Sequence, residues 1–284
     1  QSAVLDAAAE LARRGWRVSR AGATADGRVT ADAVRSVLEP DTALVSLQHA
    51  NNETGVVQPV AEIGALAAAA GALFHVDAVQ SAGKLRLDAP AWPAALVSVA
   101  AHKLGGPAGV GALWKRRGLD LAPLVPGSQE QGWRGGTPNL PGIVGFHAAL
   151  EGLDAAAEAR RARALRDLLE HTLAERVPLA RVTGARSERL ANTTHLTFSA
   201  AVGGDLVTAL DLAGFAVSAG SACRAGSDEP SQVLLAMGLP EANARTAVRV
   251  STHPETTEQE LLAFVDALAA LVSARTGAVL ESGA

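Results

Sequence analysis

Between residues 42 and 116 the chain alternates short apolar runs with an alanine-rich stretch, and this alternation narrows the possible folds more than any other feature. "TALVSLQHA" (42–50), "ALFHVD" (72–77), "AALVSVA" (94–100) and "GVGALWKR" (109–116) have the length and near-continuous apolarity of buried strands. "VAEIGALAAAAG" (60–71) between the first two reads as a helix. Strand–helix–strand order with such strands predicts an α/β layer architecture around a largely parallel sheet. In sheets of that kind ligands collect at the carboxyl ends of the strands. Upstream, "AVLDAAAELARRG" reads as a helix closed by Gly15, "WRVSR" (16–20) as a strand and "ADAVRSVLE" (31–39) as a helix.

The second half changes character. "LDLAPLVPGSQEQGWRGGTPNLPG" (119–142) is rich in Gly and Pro and reads as an extended loop, followed by one long charged helix over 143–175. Beyond "RVPLARVTG" the pattern gives strand "THLTFS" (194–199), helix "GGDLVTALDLAG" (203–214), short strand "FAVSA" and helix "PSQVLLAMG" (230–238). Strand "TAVRVST" (246–252) and helix "TTEQELLAFVDALAALVSA" (256–274) complete a smaller α+β domain. The expected organisation is a large domain over 1–142, a connecting helix over 143–175 and a small domain over 176–284.

A net charge of -4 offers no basic face for nucleic acid, and no apolar run is long enough for a membrane span. One cysteine excludes an internal disulfide, which favours a reducing, cytoplasmic setting. That thiol, Cys223, lies in "VSAGSACRAGS" among glycines, serines and alanines. The chain opens Gln1-Ser2-Ala3, with no initiator methionine and no signal-peptide pattern, so upstream sequence is expected to be missing.

Three polar residues stand where strands should end: Asp77 and Gln80 after "ALFHV", and Lys103 after "LVSVAAH". Singly, the Asp reads as a turn former or cap and the Lys as a solvated loop residue. Together, behind two apolar strands of one sheet, they suit pyridoxal phosphate. That cofactor needs a lysine for its Schiff base and an acid to keep its ring nitrogen protonated. A lysine in a partly desolvated site has a lowered pKa and can attack a carbonyl.

The words "VSLQHANNETGVVQPVAEIG", "FHVDAVQSAGK", "SVAAHKLGGPAGVGALW", "WRGGTPN", "SAGSACRAGSDEPSQVLLAMG" and "AVRVS" occur in that order over positions 45–251. In them the chain closely resembles the pyridoxal phosphate-dependent cysteine desulfurases of iron–sulfur cluster assembly, within the class V aminotransferase group. The resemblance implies the fold type I architecture of that group and no metal in the site. It implies that Lys103 binds the cofactor and moves substrate protons, that Asp77 pairs with the ring nitrogen and that Gln80 meets the ring hydroxyl. Asn52 matches an asparagine near that hydroxyl and the substrate carboxylate, although "NNETG" also reads as an Asx turn. His102 matches a phosphate contact, and Thr137 in "RGGTPN" a threonine that reaches a phosphate across a dimer interface. Arg249 matches the arginine that grips the substrate carboxylate, for which a guanidinium offers two parallel donors. Cys223 matches the thiol that takes sulfur from L-cysteine and passes it, as a persulfide, to an acceptor or iron–sulfur scaffold protein; the soft loop suits movement, and Arg224 favours the thiolate. A homodimer is implied as well.

Three departures accompany the resemblance. The family's N-terminal segment, with its phosphate-cradling loop, has no counterpart in the sequence. Gln1 stands where the family has a histidine that stacks on the ring, and Ala100 where it has a phosphate-binding serine. Two other readings therefore stay open: another class V lyase or aminotransferase, such as a selenocysteine lyase, and a cofactor-deficient, non-catalytic partner-binding form of the fold.

Overall fold

The computed structural model describes residues 2–199, 206–220 and 229–280. They form two compact units, one from residues 39–49 and 60–155 and the other from 1–38, 50–59 and 156–284. The sequence-based division differs in that residues up to 38, and the segment 50–59, group with the C-terminal part.

The unit of residues 39–49 and 60–155 is built on a four-stranded sheet in the order β1 (Leu44–Gln48), β2 (Leu73–Asp77), β3 (Leu96–Ala100), β4 (Gly111–Lys115). β1, β2 and β3 run parallel, and β4 returns antiparallel to β3. The two faces differ in chemistry because side chains alternate along a strand. Phe74 and Val76 point to one face and are fully buried, together with Ile63 and Ala67 of the helix α3 (Val60–Ala69). On the other face a hydrogen-bonded row crosses three strands: Ser46 Oγ lies 2.8 Å from His75 Nδ1, and His75 Nε2 lies 2.9 Å from Ser98 Oγ.

The approach of α3 to the sheet depends on Gly64. A Cβ there would sit 1.9 Å from the Trp92 carbonyl oxygen and 2.9 Å from Phe74 Cδ1. Backbone would have to move to admit it. Gly64→Ala is therefore expected to destabilise the protein by about 1–3 kcal/mol or more, read as a lower urea midpoint. An unchanged midpoint would mean that α3 does not pack this closely.

The other unit carries a three-stranded antiparallel sheet, in the order β5 (Arg181–Val182), β6 (Thr193–Thr197), β7 (Val248–Ser251). Its core joins Leu196, Phe198, Val248 and Val250 to helices α5 (Ala155–Arg176), α6 (Leu206–Leu212) and α9 (Glu258–Leu280). In α5, Leu165, Leu169, Thr172 and Leu173 recur at helical spacing and are the buried residues, so one stripe faces inward. A reciprocal cap starts α9: Glu260 N–H donates to Thr257 Oγ1 at 3.2 Å, and Thr257 N–H to Glu260 Oε2 at 2.7 Å. The same unit holds α1 (Ser2–Arg13), α2 (Ala31–Arg35), α7 (Gln232–Ala236) and α8 (Glu241–Ala244).

Four local expectations are corrected. The single helix over 143–175 is two, α4 (Leu140–Glu151) and α5, separated by Gly152, Leu153 and Asp154; glycine at the cap and an aspartate just before the next helix interrupt an otherwise helical composition. Residues 16–20 form no strand and are exposed throughout, for no strand among the described residues forms a ladder with them. The helix expected over 31–39 stops at Arg35, short of Pro40, which disfavours helical backbone before it. "FAVSA" forms no strand, only an isolated bridge from Ser218 to Arg249.

Candidate active site

At the carboxyl tips of β2 and β3 the chain assembles a compact polar group. Asp77 ends β2 and is only 8% exposed. Its Oδ1 accepts the Val79 N–H at 3.1 Å, and its other carboxylate oxygen takes no hydrogen bond among the described residues. Its main chain is held from both sides. The Asp77 carbonyl accepts the His49 N–H at 2.8 Å, and the Ala78 N–H donates to the Ser98 carbonyl at 3.0 Å. Gln48, which lies opposite Asp77 in the β1–β2 register, has a buried side-chain oxygen, Oε1, without a partner among the described residues.

His49 is a residue that pattern reading missed. It directly follows β1, its ring packs 4.6 Å from Trp92, and its Nδ1 lies 2.9 Å from Ser81 Oγ. Burial pushes its pKa from 6.5 down to about 4, so the imidazole is neutral near pH 7. Lys84, also missed, ties the loops after β2 and β3 together: Nζ donates to the Gln80 carbonyl at 3.1 Å and to the Lys103 carbonyl at 3.4 Å. Neither role has a signal in one sequence, because both depend on which loops become neighbours.

Lys103 and His102 occupy a 3₁₀ turn, Ala101–Lys103, directly after β3. Both are exposed and Gln80 is half-buried, so the partly desolvated setting expected for Lys103 is absent. Thr137 is exposed in the loop before α4, where Arg134 Nη1 donates to the Gly136 carbonyl at 2.7 Å. Among the described residues no hydrogen bond joins Thr137 to Asp77, Gln80, His102 or Lys103.

Asn52 and Arg249 meet in the other unit. Asn51 folds a turn by accepting the N–H groups of Glu53 and Thr54 at 2.9 Å each, and Gly55 completes it at φ +73°. That turn presents the Asn52 carbonyl to Arg249 Nη1 at 2.9 Å, while Nη2 reaches Ser218 Oγ at 3.3 Å. Burial lowers the guanidinium pKa and the nearby Glu53 carboxylate raises it again. An arginine in such a place stays charged. Arg249 Nε and Asn52 Oδ1 are buried and have no hydrogen-bond partner among the described residues. A buried donor on a cation beside a buried acceptor is the equipment for a small zwitterion. Cys223 and Arg224, with Gln1, lie outside the described residues.

The family profile named aminotransferase class-V matches residues 1–264. The chain belongs to that family. A cysteine desulfurase of Gluconacetobacter diazotrophicus is 43% identical over 265 residues, covering 92% of this chain and 66% of the relative. The chain thus spans about two thirds of the length of such relatives. Among solved structures, a NifS-like protein superposes with a TM-score of 0.85 at 31% identity, covering 96% of this chain and 73% of the other. One described as SspA in complex with cysteine superposes with a TM-score of 0.77 at 34% identity, covering 90% and 72%. These likenesses place the chain in fold type I. Class V aminotransferases depend on pyridoxal phosphate.

The residues present fit that cofactor. A buried carboxylate with a free oxygen, an exposed primary amine on the adjacent strand tip and a linked pair of loops are the donor set its ring requires. Ala100, the last residue of β3, offers no hydroxyl to such a group.

Proposed function

We propose that this chain is a cysteine desulfurase, taking sulfur from L-cysteine onto Cys223 and releasing alanine. The observation that carries it is the placement of a buried carboxylate, Asp77, and an exposed amine, Lys103, after adjacent parallel strands. The 43% identical relative bears that name, and a solved neighbour is described with cysteine bound.

Bound pyridoxal phosphate supplies an electron sink for the carbanion formed at the substrate α-carbon. Lys103 Nζ would hold the cofactor and would move the proton at the substrate α-carbon. Asp77 would accept from the ring nitrogen of that group through the carboxylate oxygen that Val79 leaves free. Gln80 addresses the ring hydroxyl, and His102 and Thr137 the phosphate. Arg249 and Asn52 receive the substrate carboxylate, whose oxygens accept from the buried Arg249 Nε and from the Asn52 side-chain Nδ2. The Cys223 thiolate attacks the substrate sulfur: the carbon–sulfur bond breaks, a sulfur–sulfur bond forms, and the thiol proton ends on the alanine methyl group. Cysteine and thiol become alanine and persulfide, with no external oxidant. A cytoplasmic homodimer that hands the persulfide sulfur to an iron–sulfur scaffold protein completes the reading.

The direct test is alanine release from L-cysteine by protein supplied with pyridoxal phosphate. Cys223→Ala is expected to stop release while the absorbance of lysine-bound cofactor remains. Unchanged turnover in that variant refutes the nucleophile. Arg249→Lys exchanges a two-donor fork for a point charge, and KM for cysteine should rise about 10- to 100-fold. An unmoved KM would remove Arg249 from the carboxylate site.

A further inference from the structure

Glu53 is buried, only 6% exposed, on the turn that begins with Asn51. A carboxylate removed from water is costly unless its oxygens are engaged. Its Oε2 accepts the Ser231 hydroxyl at 2.5 Å, and Ser231 Oγ in turn accepts the Leu234 N–H at 3.2 Å, capping α7. The same Oε2 lies 3.0 Å from where a Cβ on Gly220 would stand, so the carboxylate fills the space beside that glycine. Gly220 and Ser231 bracket the segment 221–230, which carries Cys223. The turn bearing Glu53 also receives Arg249 through the Asn52 carbonyl. Ser218, just ahead of Gly220, exchanges main-chain hydrogen bonds of 2.6 and 3.2 Å with Arg249.

We propose that Glu53 is a positioning residue that clasps both ends of the Cys223-bearing segment and mounts them on the turn that holds Arg249. The purpose of the clasp rests on the sulfur-transfer reading; the clasp itself does not. Pinning the two ends confines the volume the thiol can sample and raises its effective concentration at the substrate sulfur. A Cβ at 220 would crowd an oxygen already held by Ser231, so a larger residue there presses the carboxylate off that serine.

The test compares Glu53→Ala and Glu53→Gln with the parent protein, by two readouts. One is the rate of Cys223 alkylation by iodoacetamide without cofactor or cysteine. The other is kcat and KM for alanine release with pyridoxal phosphate bound. Glu53→Ala should lower kcat roughly 10- to 100-fold and change the alkylation rate several-fold, with KM within about two-fold. Glu53→Gln keeps an oxygen for Ser231 and should recover most of kcat. Parent-like kcat and alkylation in Glu53→Ala overturn the clasp. So does a glutamine variant no better than alanine with a raised KM, which would trace the effect to Arg249's charge. A parent protein that makes no alanine, while Glu53→Ala still changes alkylation, sinks the sulfur-transfer reading and leaves the clasp standing. Should Glu53→Ala fail to fold by circular dichroism, Gly220→Ala crowds the same oxygen without deleting it and is held to the same outcomes.

Discussion

Lys103→Ala is expected to cut alanine release from cysteine by about 10²- to 10⁴-fold, the contribution of a well-placed general acid–base. The variant should also lose the absorbance of lysine-bound cofactor, even when pyridoxal phosphate is in excess. The two losses separate Lys103 from every other residue of the group. Cys223→Ala removes turnover and keeps the absorbance, and Arg249→Lys acts on KM. The structural basis is positional. Lys103 follows β3 in a turn whose carbonyl Lys84 ties to the Gln80 carbonyl, so its main chain is held beside the loop that follows the strand ending in Asp77. An alanine variant that keeps both turnover and colour would refute the assignment of Lys103, and with it the pairing that carries the proposed chemistry.

The second large effect is on stability in acid. His195 on β6 is fully buried, with Nδ1 3.0 Å from Thr183 Oγ1 and Nε2 without a partner among the described residues. It stands opposite Arg249 in the β6–β7 register. Burial, and secondarily the Arg249 charge, push its pKa from 6.5 down to about 3. Above pH 6.5 the imidazole is neutral in both folded and unfolded chains and pH has no leverage through it. Between 6.5 and about 3 only the unfolded chain takes the proton, so stability falls as pH falls, by about 1.4 kcal/mol for each pH unit. Urea unfolding at pH 7 and pH 5 should show the parent losing about 2 kcal/mol more than His195→Asn, which cannot titrate. His49 titrates in both proteins and cancels from the comparison. Equal losses would show that His195 gains a proton in the folded state.

Legibility in the sequence followed how local each cause was. β1, β2, β3 and β4 appear where apolar runs of strand length appear, and the polar residues behind β2 and β3 stand at the strand tips. The capping box of α9 can be read directly from "TTEQE". Failures came where a neighbour decides. "WRVSR" has the alternation of a strand and no strand to pair with, and "FAVSA" finds a partner only at Ser218. Asp154 and Gly152 break a helix that alanine content alone would continue. Glu53 sits in a string that reads as an ordinary turn; nothing in "NNETG" announces that its acid is buried and bonded to a serine 178 positions away. His49 and Lys84 were passed over for the same reason. Cys223, the most specific feature of the sequence, falls outside the described residues.

The path of the chain between its two units has a consequence for biosynthesis. It crosses from one to the other at residues 38/39, 49/50, 59/60 and 155/156. All four strands of the mainly parallel sheet have left the ribosome once residue 155 has emerged, so that sheet can close while translation continues. Residues 1–38 and 50–59 group with residues 156–284, which are made later, so that unit closes only as the rest of the polypeptide emerges. Early-made segments with late-made partners are the stretches that chaperones and proteases meet first.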